Sequence, residues 1–103
     1  MAAGGGRVSF GVLNDMQLTA ADFRRWLPGA AGELTVRETA EGFVIGAPPC
    51  TVTVTLEALP PRRIALLELP LTRVTMAFSD GWEAPARNAF LKRFDDYFRR
   101  GGG

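Results

Sequence analysis

Apolar and polar residues alternate along most of this chain, and two stretches break into the three-and-four spacing of a helix. From Arg7 to Leu13, Val8, Phe10 and Val12 point one way while Arg7, Ser9 and Gly11 point the other. That period of two predicts a strand with one buried face, and Asn14-Asp15 supplies a turn after it. The same alternation is clearest from Cys50 to Glu57, where Val52, Val54 and Leu56 oppose Thr51, Thr53, Thr55 and Glu57. Glu33 to Glu38 and Phe43 to Ala47 read as a hairpin around Thr39-Ala40-Glu41-Gly42, ended by Pro48-Pro49. Pro60-Pro61-Arg62-Arg63 reads as a stiff turn or loop. Ile64 to Phe78 fits either two strands meeting at Pro70 or one long strand bent there, and the bent strand is favoured. Past Pro70, Val74, Met76 and Phe78 face inward, with Arg73, Thr75 and Ala77 outward.

The first helical stretch has a marked start. Thr19 can cap it, with Asp22 three residues on, and Leu18 and Phe23 stand at the two positions of a hydrophobic staple. Phe23, Trp26 and Leu27 share a face, and Pro28-Gly29 is expected to end the helix. The second begins near Trp82 to Pro85, since proline suits a first turn that needs no backbone donor. Phe90, Phe94, Tyr97 and Phe98 form its apolar stripe. Lys92 with Asp96, Asp95 with Arg99, and Asp96 with Arg100 are possible i, i+4 ion pairs, and Gly101 is a natural cap. A helix of ~16 residues is ~24 Å long, enough to span a sheet face. The order is β-α-β-β-β-β-α. It predicts an α+β fold with a mainly antiparallel sheet of about five to six strands and both helices on one face.

Composition narrows the function classes. The chain has 103 residues, room for one domain (1–103), with glycine-rich ends at 1–6 and 101–103 that are expected to be flexible. No apolar run nears the ~20 residues needed to cross a bilayer, and the first residues lack the pattern of a secretory signal. A cytoplasmic location and no membrane partner are therefore expected. Twelve basic against eleven acidic residues leave little charge for a phosphate backbone, so nucleic acid is disfavoured. Arginine greatly outnumbers lysine, and with the many Ala, Gly and Pro residues this fits a GC-rich, bacterial genome.

Candidate chemistry is sparse. Histidine is absent, which removes the usual metal ligand and the commonest general base at neutral pH. Cys50 has no histidine to activate it and reads as a small buried hydrophobe. Asp95-Asp96 diverge by ~100° on a helix and do not converge on a metal. Asp80 and Glu83 read as helix-start residues. No catalytic residue, metal or cofactor is expected. Gly4-Gly5-Gly6 precedes a strand rather than opening a helix, so it does not form a phosphate loop. Arg62-Arg63 reads as a solvated loop.

Three surfaces remain. Thr51, Thr53 and Thr55, with Arg73 and Thr75, form a polar sheet face that a protein partner or a second copy can bury. A small apolar ligand could instead sit between a curved sheet and the last helix, among Trp26, Met76, Phe90, Phe94 and Phe98. The terminal Gly101-Gly102-Gly103 matches the kind of tail that ubiquitin-like modifiers and sulfur carriers activate, although here it follows a helix rather than a strand. A non-enzymatic interaction module, with homodimerisation as one form of it, is the favoured reading. The ligand carrier comes second and the Gly-tailed modifier third.

Overall fold

The computed structural model describes residues 8–99, with side chains from Phe10 onward. The strand positions of Arg7, Arg100 as an ion-pair partner, the Gly101 cap and both glycine-rich ends lie outside that range. Five strands, β1 (Val8–Met16), β2 (Val36–Glu38), β3 (Gly42–Ala47), β4 (Cys50–Ile64) and β5 (Leu67–Ser79), form one antiparallel sheet in the order β1-β5-β4-β3-β2. Helices α1 (Ala20–Ala31) and α2 (Ala84–Arg99) complete the expected α+β order.

Both helices cover the side of the sheet that carries its alternating apolar residues. Ile45, Val52, Val54, Val74, Met76 and Phe78 are buried there against Phe23, Leu27, Phe90 and Phe94. Aromatic rings fill the layer. Phe23 lies 6.1 Å from Phe43, 6.0 Å from Phe94 and 5.2 Å from Phe98, while Phe90 meets Phe78 at 5.8 Å. Thr19 caps α1 as its spacing predicts, accepting a hydrogen bond from the Asp22 amide at 3.0 Å. Lys92 and Asp96 pair at 3.0 Å, and Arg99 turns to Asp96 at 3.5 Å rather than to Asp95.

Several boundaries differ from those the sequence predicts. Asn14-Asp15 is not a turn. Both residues pair in β1 with Val74 and Arg73, and the Arg73 guanidinium donates to Asp15 at 2.8 and 3.2 Å. Pro28 does not end α1, which runs on to Ala31 and is capped by Gly32 at φ 69°. An interior proline costs about 3 kcal/mol of helix stability. Phe23, Leu27, Ala30 and Ala31 lie at i, i+4, i+7 and i+8 and are all buried, so packing offsets that cost. Glu33 to Thr35 precede the ladder, leaving β2 only Val36–Glu38.

The largest correction concerns Pro60 to Phe78. Pro60-Pro61-Arg62-Arg63 is not a loop but the far end of β4, and the chain reverses at Ala65-Leu66 rather than bending at Pro70. Leu59 pairs with Leu71 and Arg62 with Leu69, so Pro60 and Pro61 together oppose Pro70 across a bulge. Three prolines thus gather at the bulge, where the ladder is already interrupted and the missing donors cost least. The result is a long β4–β5 arm. None of residues 57 to 71 is buried, and the molecule measures 46 × 29 × 20 Å.

Candidate functional site

Register places the predicted binding residues on one surface. Residues directly opposite in a ladder share a face, and the period of two separates that face from the helical layer. On the side away from the helices, Thr55 pairs with Thr75, which pairs with Leu13 of β1. The next row, toward the end of β5, holds Gly11, Ala77, Thr53 and Val44. The row on the other side holds Asp15, Arg73 and Glu57. Thr51 stands at the end near the helical turn, where its amide donates to Ser79 Oγ at 3.0 Å and its carbonyl accepts from Trp82 Nε1 at 3.0 Å. Thr51, Thr53, Thr55, Arg73 and Thr75 therefore lie on the uncovered side.

This face continues onto the arm and changes character there. Leu59, Leu71 and Leu69 keep to the same side, and they are half-buried while Ala58, Glu68 and Pro70 on the opposite side are exposed. Because the bulge adds one residue to β4, Arg62 and Ile64 join this side with Leu69 and Leu67. Ile64 is 48% exposed, Leu67 63% and Leu13 60%. Leu66, at the tip, is fully exposed. The uncovered side thus runs from threonines at the sheet centre to leucines and isoleucine along the arm. Reading Pro60 to Arg63 as a loop hid this stripe, since the bulge shifts the alternation of β4 by one residue.

Charge is concentrated elsewhere. The helical side carries Arg24, Arg25, Lys92, Arg93, Asp95 and Arg99, all exposed. At the centre of the uncovered face, the Arg73 guanidinium holds the Asp15 carboxyl below its usual range, chiefly through their hydrogen bond. Asp15 in turn raises Arg73. Glu57, the ladder partner of Arg73, adds to that shift by its charge, although the two make no hydrogen bond or close ion pair among the described residues.

The other candidates take simple places. Cys50 is half-buried at the start of β4, with its thiol 3.4 Å from the Gly81 carbonyl. Glu83 gives its carbonyl to the Arg87 amide at 2.9 Å as α2 begins. Arg63 pairs with Glu68 across the arm at 3.2 Å, on the side opposite Arg62. Met76, Phe90 and Phe94, named for an apolar ligand, are buried and in contact with neighbouring rings or strands. Phe98 and Trp26 are partly buried against them. Among the described residues no group of His, Cys, Asp and Glu is placed to hold a metal ion. Among those residues, too, no helix is long and apolar enough to cross a membrane. Gly101 to Gly103 lie outside the described residues; the residue range before them is helix α2. Compared with family models, with curated proteins and with solved structures, the chain matches none.

Proposed function

We propose that this protein is a non-enzymatic interaction module whose binding surface is the uncovered sheet face together with its continuation along the β4–β5 arm. One observation carries the reading: apolar side chains on the arm gather on the same side as the threonines, and Ile64 and Leu67 among them are exposed. Exposed Ile64, Leu66 and Leu67 lose about 25 cal/mol for each Å² of apolar area left in water, a cost that a partner removes. Thr51, Thr53, Thr55 and Thr75 add methyl groups and hydroxyls that suit a protein partner better than a small molecule.

The test compares the two sides. The tagged full-length chain should retain a protein partner, or associate with itself. Leu13→Arg and Thr55→Arg should abolish that retention, since both put a large cation on the uncovered face. Lys92→Glu, on the helical side, should leave it intact. Retention that survives both face variants and disappears with Lys92→Glu would move the binding surface to α2.

A further inference from the structure

We infer that the partner of this face is a second copy of the chain, stacked sheet on sheet about a two-fold axis that runs along the arm between β4 and β5. The inference rests on the reading of the uncovered face as a binding surface and names its occupant.

A two-fold axis parallel to the strands and lying between the two faces keeps each ladder row level and exchanges left for right. A residue of β4 then meets its own ladder partner on β5 of the other copy. In the central row Glu57 comes opposite the second copy's Arg73, and Arg73 opposite the second copy's Glu57. Within its own chain Glu57 acts on Arg73 by charge at a distance, without an ion-pair contact among the described residues, and the stacking gives it a direct one, so that two reciprocal ion pairs form. Arg73 donates to Asp15 through Nε and Nη2, so its Nη1 is left to donate to this second carboxylate.

The neighbouring rows agree. Thr55 meets Thr75, Leu59 meets Leu71, and Ile64 meets Leu67, so the exposed apolar rows of both arms close on each other. Val44, on β3, comes opposite Gly11 of β1, a large side chain against an exposed glycine. Arg62 lies over Leu69, where its apolar stem can pack while its guanidinium stays at the rim. A two-fold perpendicular to the strands and passing through the Glu57–Arg73 row brings Arg73 onto Arg73 and Glu57 onto Glu57, and like charges disfavour it.

Area is sufficient. At ~3.3 Å per residue and ~4.8 Å between strands, the β4–β5 ribbon with β1 and β3 beside it presents roughly 600–700 Å² before side-chain relief is counted. A standard interface takes roughly 600–1,000 Å² per partner. The arm alone is too narrow, so both the arm and the threonine face must take part. Aligned sheets pack within about 30° of each other, which the twisted ribbons can meet near the axis.

Sedimentation equilibrium of the full-length chain, run as a concentration series, should show a dimer. Glu57→Arg and Arg73→Glu should each weaken dimerisation by about tenfold or more, because each sets like charges against each other across the axis. Mixed in equal amounts, the two variants should form a heterodimer. In that mixed pair the cation introduced at position 57 of one chain meets the carboxylate introduced at position 73 of the other. The unsubstituted Arg73 and Glu57 of the two chains meet as they do in the wild type. Intrachain repulsion in each variant is unchanged by mixing, so this rescue reads the contact between chains. Leu13→Arg, at a position already exposed and harmless to the fold, should also give monomers. A dimer indifferent to Leu13→Arg and to the charge mixture would overturn the inference, placing the contact elsewhere. A wild-type chain that is still monomeric at about 100 μM would overturn it too. If such a monomer still retains another protein and loses it on Leu13→Arg, the binding face stands and only its occupant is wrong. Loss of both results sinks the inference and the reading beneath it.

Discussion

Three single residues hold positions whose chemistry can be read directly. Thr19 caps α1 with its hydroxyl, so Thr19→Ala should cost about 1 kcal/mol, seen as a lower midpoint in urea with an unchanged slope. Ala65, first of the two corner residues between paired Ile64 and Leu67, has φ 55°. A two-residue hairpin with positive φ only at its first corner is the type II′ turn, which favours glycine there. Ala65→Gly should therefore stabilise the chain by up to about 1 kcal/mol by relieving the left-handed backbone. Asp15 gives a pH dependence of known sign. Its carboxyl is held below the ordinary range by Arg73, so the folded chain binds that proton less readily than the unfolded one. The stabilisation is complete above the ordinary carboxylate value and is lost as pH falls through the lowered folded value. Acid titration of unfolding should show wild type more stable than Asp15→Asn near neutrality, with the gap closing in the acid limb. A constant gap would mean the pair acts by packing rather than charge.

At the scale of elements the arm is the test case. Residues 57 to 71 include no buried side chain, so the arm adds little to the core. Replacing Pro60 to Pro70 by a two-residue Asn-Gly turn between Leu59 and Leu71 should leave the thermal midpoint within a few degrees, while association falls sharply. Circular dichroism and sedimentation on the same sample check both halves of that expectation. The arm also marks where sequence reading stopped. The order of elements, the β2–β3 hairpin, the Thr19 cap and the aromatic stripe of α2 were legible because each rests on local periodicity, a turn signal or a cap residue. Pro60-Pro61 and Pro70 signalled interruption correctly, but only register shows that they interrupt the same point from both strands. Ala65-Leu66 carries no Gly, Asn or Asp, so nothing local announced the reversal. Pro28 misled for a related reason: the buried Ala30 and Ala31 beyond it are small, and their contribution depends on how closely α1 sits on the sheet.

The whole molecule is a one-sided sandwich, with a dry aromatic layer on one side of the sheet and an uncovered surface on the other. The dry side is the source of stability. Phe94 is buried among Phe23, Phe90 and Phe98, so Phe94→Ala should cost about 3–5 kcal/mol and leave the chain unfolded or close to it at 37 °C. Denaturant titration at low temperature measures that loss. The uncovered side was legible as a face, since the alternation that buries Val52 and Val54 must expose Thr51, Thr53 and Thr55. Its extension was not, because the apolar stripe of the arm emerges only after the bulge realigns Arg62 and Ile64 with Leu69 and Leu67.

Hydroxyl-radical footprinting of the associated protein reads both sides in one sample. Leu13, Leu59, Ile64 and Leu67 should lose labelling on association, while Trp26, Leu91 and Tyr97 on the helical side keep theirs. Protection of the helical residues, with the four aliphatic ones labelled as in the dilute protein, would contradict the binding face proposed for this chain.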